Sequence, residues 1–453
     1  MAMPVAISHP DAVPFPAVNG GISPVRVMEV ELTEPLRTVC YDGRHRQVWV
    51  LGRLHTEPIG ACLIQLGPEG LNPGQLSELL WRELRTPVNE RFAAAGFSRP
   101  RALPGDGLAA GPCAWPFLRR RSEVLAAAPF ISVIICTRDR PDQLATCLRH
   151  LDRQAYPRFE VVVVENVPDG DAVRTLVEAR RGGVPYHYLT EPRSGLSWAR
   201  NTGITAASGE IIAFLDDDDE PDSHWLAGLA CGFARGDDIG CVTGLVVPAR
   251  LDTPAEQLFE HLGGHSKGRG FELATFSRHG PQSPLYPLPP FGAGANMAFR
   301  REALASIGGF DVALGAGTPA LAGADTLALT LTLLAGYRIT YQPAALMWHH
   351  HRRDLDGLRR QLHGYSVGLT AYYAALLRHR PGVFADLLKL APIATGYLRG
   401  TMVAPVAAPP DLLAALNRRH RRGMLMGPLE YVRSMRTQAR VAAVRAVPPK
   451  ARK

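Results

Sequence analysis

Long apolar runs are missing from this 453-residue chain. No stretch reaches the ~18 apolar residues that a membrane-spanning helix requires. The nearest, residues 367–377, is too short and reads as part of a buried or interfacial helix. Cysteine is sparse: Cys40, Cys62, Cys113, Cys136, Cys147, Cys231 and Cys241 are scattered, with no C-x-x-C pair. That spacing excludes a zinc knuckle, and an odd number in a long chain speaks against a disulfide framework. A reducing, cytoplasmic setting is expected. No basic segment followed by an apolar run opens the chain, and residues 1–23, rich in Pro and Ala, read as a flexible leader. No internal repeat is found. The basic charge is diffuse and lacks interleaved aromatic platforms, so nucleic acid is not expected as a partner.

What is present is an ordinary globular balance, 46% hydrophobic and 20% charged, in a chain long enough for two or three domains. The net charge of +8 favours phosphate-bearing partners, although a generally basic surface accounts for it equally well. Composition divides the chain. Residues 24–121 read as a small α+β accessory domain and its linker: short apolar strands at 47–51 and 61–66, then a helix over 75–85 that Pro87 is expected to end. A Pro-, Gly- and Arg-rich connector, 99–121, follows. Residues 126–353 alternate strands and helices. The runs at 130–136 and 159–164 are almost wholly apolar, as strands buried on both faces require. Further strands are expected at 186–189 and 210–215, with helices at 141–154 and 171–181. That order implies an α/β, Rossmann-like, mostly parallel sheet flanked by helices, with ligands at the carboxyl ends of its strands. Residues 354–453 are helical and basic, with a disordered tail expected from 447.

The most informative segment is Asp216, Asp217, Asp218, Asp219 and Glu220, directly after a buried strand. So much like charge is costly unless a cation sits there. Hard divalent ions take oxygen ligands and can bridge the phosphates of a nucleotide diphosphate. The plainer alternative is a solvated acidic turn capping the helix near Trp225.

Several segments then align, in order, with one family. Residues 132–140, SVIICTRDR, look like the first strand and nucleotide-binding turn of family 2 glycosyltransferases of the GT-A fold. Glu165 and Asn166 resemble the turn after their second strand. Residues 195–204 resemble their G-x-x-x-A-R-N-x-G segment, and Asp216, Asp217 and Asp218 their D-x-D metal motif. Residues 294–301 and 308–311 resemble acceptor-side segments. The resemblance covers about half of the chain, residues 130–352, and leaves out both ends.

It implies metal-dependent, inverting transfer of a sugar from a nucleotide-diphosphate donor to an acceptor hydroxyl, in a catalytic domain over 126–353. Donor contacts fall to Thr137, Arg140, Glu165, Arg200, Asn201, Asp216 and Asp217. A manganese or magnesium ion is expected on Asp218, with His349 as a further ligand; strand alternation puts His349 and His351 on one face and His350 on the other. Asp219 is left as a cap. Gly294, Ala295 and Asn296 are expected against the sugar or acceptor, and residues 262–270 as a loop over the site. Asp325 stands where the family places its base. The acid that usually precedes it is Ala324 here, and polar residues that often follow are Leu327 and Leu331. These departures motivate an alternative, a catalytically impaired nucleotide-sugar-binding protein on the same fold. The acceptor is a polysaccharide, a lipid-linked sugar or a small metabolite. The basic C-terminal region is expected to pack on the catalytic domain, or else to touch an anionic inner membrane face.

Overall fold

A computed structural model describes residues 23–109, 111, 115–267, 269–281, 283–285, 291–390, 392 and 410–445. Apart from Ser23, the expected leader lies outside the described residues, as do Gly268 and the tail from 447.

The N-terminal unit holds strands β1 (Val25–Glu31), β2 (Gln47–Leu54) and β3 (Glu57–Gln65) and helix α1 (Pro73–Ala94). β1 runs parallel to β2, and β2 antiparallel to β3. Alternation along β2 gives the sheet two apolar faces. Val48, Val50 and Leu54 meet Leu76, Leu80 and Leu84 of α1. Trp49 and Leu51 pack against Leu245, Val247, Tyr341 and Leu346 of the larger sheet. The unit is thus fixed onto its neighbour, and Arg53 reaches Asp222 there at 2.6 Å. Asn72 and Gln75 form a reciprocal cap at the start of α1, with Pro73 in the first turn.

Pro87 does not end α1, contrary to the sequence expectation; it lies inside the helix. Val88 and Phe92 continue the apolar stripe and are buried with Leu103, Leu108 and Trp115, and this burial outweighs the lost backbone hydrogen bond. Helix α2 (Pro116–Ala127) also starts inside the expected connector, with proline in its first turn.

The second unit is built on strands β4 (Ile131–Thr137), β5 (Phe159–Asn166), β6 (Tyr186–Glu191), β7 (Ile211–Asp216), β8 (Asp219–Pro221), β9 (Ile239–Pro248), β10 (Ala274–Phe276), β11 (Asn296–Arg300) and β12 (Arg338–His349). Its helices are α3 (Pro141–Leu151), α4 (Ala172–Glu178), α5 (Leu196–Ala206), α6 (Trp225–Phe233), α7 (Pro254–His261), α8 (Arg301–Ser306) and α9 (Ala324–Leu334). The strand order is β10-β12-β9-β11-β7-β4-β5-β6, with β8 pairing β12. β4 is parallel to β5 and β7, β5 to β6, and β9 to β12, whereas β11 is antiparallel to both neighbours. The mostly parallel α/β sheet is as expected. Val133, Ile135, Val161 and Val163 face α3, α4 and α6; Ile134, Val162 and Val164 face the layer of α5, α8 and α9. Thr137, Asn166 and Asp216 therefore end neighbouring strands along one edge.

Helices α10 (Leu355–His379), α11 (Phe384–Lys389) and α12 (Pro410–Arg445) complete the described chain. α10 and α12 pack closely, because Gly423 and Gly427 sit where a Cβ would overlap Ser366 and Thr370. Tyr431 of α12 donates to Asp311 at 2.7 Å, and Trp198 of α5 donates to Gln438 at 2.7 Å. The C-terminal helices are thus seated on the α/β unit. No helix among the described residues is long and apolar enough to cross a membrane.

Candidate active site

The acidic run separates into four environments. Asp217 is buried at the end of β4, where Thr137 Oγ1 donates to it at 2.7 Å and Arg140 Nη1 at 3.1 Å. Asp218 lies 3.5 Å from Arg140, 3.7 Å from Arg352 and 4.0 Å from His349 Nε2. Asp216 faces Arg200, whose Nη2 is 3.5 Å away; the Arg200 guanidinium is buried against the rings of Phe214 and Phe310. Asp219 is 1% exposed, and among the described residues no side chain donates to either of its carboxylate oxygens.

These carboxylates are short of positive charge. Burial pushes the Asp216 carboxyl up to about 6 against the pull of Arg200, with Asp218 and Asp217 adding to the rise. Burial, then Asp216 and Asp218, hold Asp219 well above the usual range. Burial and the adjacent His351 push His349 down to about 3, so its imidazole is neutral at physiological pH. A buried carboxylate that no side chain satisfies is expensive unless a ligand completes it.

Oxygens of Asp218 and Asp219 and a nitrogen of His349 lie within 4.8 Å of one another. Two carboxylates and a neutral imidazole suit a hard divalent ion such as Mn2+ or Mg2+. Asp219 enters this cluster through tertiary register, since β8 pairs with β12 so that Asp219 stands opposite His349. Sequence reasoning assigned it only a capping role; no local signal announces a pairing between segments 130 residues apart. His265 also lies beside His349 and His351, its nitrogen within 4.8 Å of theirs, and was not anticipated either.

Two cavities meet at this edge. One, of about 320 Å³, is lined by Thr137, Arg140, Asn166, Asp217, Asp218 and Arg352, among others. The other, of about 370 Å³, carries Arg200, Lys267, Gly294, Ala295 and Asp325 in its wall. Both include Leu196, Asp216 and Ala316. Asp325 enters from the first turn of α9 and makes no hydrogen bond or ion pair among the described residues. Leu327 and Leu331 belong to α9 and face the core, away from the cavity, whereas Ala324 stands in the cavity wall.

Three expected site residues are placed otherwise. Asn201 is spent on backbone: its Nδ2 donates to Phe310 O at 2.8 Å and its Oδ1 accepts from Phe310 N at 2.9 Å. Asn296 is fully buried, donating to the carbonyls of Leu245 and Ala345 and accepting from Trp225 Nε1 at 2.9 Å. It holds strands together and is closed to a sugar. Glu165 is also buried, accepting from Tyr188 OH at 2.5 Å, while its neighbour Asn166 lines the first cavity. Asn166 Oδ1 in turn accepts from Gly195 N at 3.0 Å, fixing the start of α5, where Gly195 adopts φ +137°.

Residues 132–308 match the family model described as glycosyl transferase family 2. The chain is 38% identical over 104 residues to glycosyltransferase AglE of Haloferax volcanii, covering 22% of this chain and 33% of that protein. It is 30% identical over 169 residues to the pre-mycofactocin glycosyltransferase of Mycobacterium tuberculosis, covering 37% and 33%. The matches thus span a third of each relative's length. Among solved structures, the mannosyltransferase PcManGT from Pyrobaculum calidifontis in complex with GDP-Man and Mn2+ is similar at a TM-score of 0.42 and 19% identity, over 72% of this chain and 81% of that one. The segment that carries the acidic strand end, the buried arginine of α5 and the glycine-rich wall beside Asp325 is a glycosyl transferase family 2 domain.

Proposed function

We propose that this protein is a glycosyltransferase that moves a sugar from a nucleotide-diphosphate donor to an acceptor hydroxyl, with a divalent ion held by Asp218, Asp219 and His349. Bound there, the ion supplies positive charge to the diphosphate as it leaves. Arg140 and Arg352, on the rim of the first cavity, add charge to the same phosphates. Thr137 and Asn166 stand where the nucleoside enters. Arg200 orients Asp216 at the boundary between the cavities. Asp325 accepts the proton of the acceptor hydroxyl as that oxygen attacks the anomeric carbon. A single displacement of this kind inverts the anomeric centre.

The observation that carries this reading is the shared wall: Asp216, with Leu196 and Ala316, borders both the phosphate-side cavity and the cavity holding Asp325. Leu321, Leu329, Leu362, Tyr365 and Leu369 line the second cavity, which supports an acceptor with an apolar portion beside its hydroxyl. Leu425, Leu429 and Val432 are exposed on α12, and Arg422 and Arg436 are exposed on the same helix. That face supports contact with an anionic lipid surface as the route to such an acceptor.

A thermal-shift screen of nucleoside diphosphates with and without Mn2+ tests the reading. Stabilisation by one nucleotide that needs the metal supports it, and so does a donor turnover that Asp325→Asn abolishes. Turnover unchanged in Asp325→Asn removes that residue as the base.

A further inference from the structure

We infer that Glu260 and His351 are positioning residues that set the tautomer of His349, turning its Nε2 lone pair toward the metal position. The inference rests on the metal reading above.

The three side chains form a buried line. His351 Nε2 is 2.5 Å from Glu260 Oε1, and His351 Nδ1 is 2.9 Å from His349 Nδ1. His349 Nε2 then faces Asp218 Oδ1 at 4.0 Å, beyond hydrogen-bond reach and with room for an ion between. The order of protons follows from acceptor chemistry. A carboxylate only accepts, so His351 carries a proton on Nε2. We assign the bare nitrogen of that ring to Nδ1, which faces His349 Nδ1 at 2.9 Å, so that the one proton between the two Nδ1 atoms belongs to His349. His349 is left with a bare Nε2, the form an imidazole needs to bind a cation.

Packing keeps the line straight. The His351 ring stands edge-on to Phe259, centroids 4.8 Å apart, and His265 covers His349 at 4.3 Å. Gly264 has φ +51°, and a Cβ there would lie 2.5 Å from Glu260 Oε2. The chain turns there through a residue that leaves the carboxylate its place. Metal-bound histidines commonly donate their second N–H to such partners, and loss of the partner weakens metal binding 10- to 100-fold.

Two measurements on the full-length chain decide the matter. In metal-free wild type labelled with ¹⁵N-histidine, with signals assigned from His349→Gln and His351→Gln, NMR should show His349 protonated at Nδ1 and bare at Nε2, and His351 protonated at Nε2. Mn2+ affinity, read from the electron paramagnetic signal of the free ion, should fall at least 10-fold in His351→Phe. Glu260→Gln keeps a carbonyl acceptor and should lose less. A proton on His349 Nε2 in the wild type, or unchanged Mn2+ affinity in a folded His351→Phe, overturns the inference. Failure of the wild type to bind Mn2+ overturns the metal reading instead, and the NMR result still judges the tautomer.

Discussion

Gly294 and Asp325 occupy neighbouring volumes. A Cβ built on Gly294 would meet Asp325 Oδ2 and come within 2.8 Å of its Cγ. Glycine at this position leaves the carboxylate of α9 its place in the cavity wall. Gly294→Ala should therefore displace the Asp325 carboxylate and lower kcat by 10-fold or more, since base catalysis depends on reach. The KM for the donor should change little, because Gly294 does not line the phosphate-side cavity. Steady-state kinetics with the donor varied at fixed acceptor checks both parts.

Asn296 tests the distinction between binding and holding. Its side chain satisfies the Trp225 indole N–H and two strand carbonyls in a fully buried position. Asn296→Ala leaves all three without that partner, and a loss on the order of 3 kcal/mol or more is expected from such orphaned groups. Nucleotide affinity of the fraction that folds should stay within about twofold. Denaturant unfolding measures the first and calorimetric titration the second.

Glu191 links the end of β6 to α5. Its carboxylate is buried, which favours the neutral acid, but Arg193 and Thr202 donate to it and hold it down at about 2 instead of the usual 4.5. A carboxyl depressed in the folded state stabilises it fully above the unfolded value and loses that contribution as pH falls through the folded one. The difference corresponds to at most about 3 kcal/mol at 1.36 kcal/mol per pH unit. Glu191→Gln should thus be less stable than wild type at pH 7, and the gap should shrink between pH 4.5 and 2. Melting temperatures of the two proteins across that range read the effect.

Much of the fold was legible because strands buried on both faces leave unbroken apolar runs, as in β4 and β5. The site residues that end such strands, Thr137 and Asp216 to Asp218, were legible for the same reason. Other assignments failed where tertiary pairing decides the partner. Asn296 sits in the glycine-rich segment expected at the acceptor, yet β11 lies between β7 and β9, and its amide is consumed there. Asn201 follows Arg200 in one helix but points at the turn of Phe310. Asp219 looked like a helix cap until β8 and β12 set it against His349. His265 lies in the stretch expected only as a loop over the site, and Glu260, near the end of α7, meets His351 only through the fold. Pro87 shows the converse: a strong local breaker is overridden when Val88 and Phe92 have a core to enter.

Calorimetric titration of uridine, guanosine, adenosine, cytidine and thymidine diphosphates into wild type and Asp219→Asn, each in Mn2+ and in chelator, tests the account's centre most directly. Among the described residues no side-chain partner satisfies either Asp219 oxygen, so the amide takes away the negative charge that a cation needs there while keeping the size of the side chain. One nucleotide should bind the wild type in Mn2+ at least 10-fold more tightly than in chelator, and Asp219→Asn should lose that gain. Equal affinity with metal and chelator, or an Asp219→Asn protein that keeps the full metal-dependent gain, would contradict a cation at this strand end gripping the donor's diphosphate.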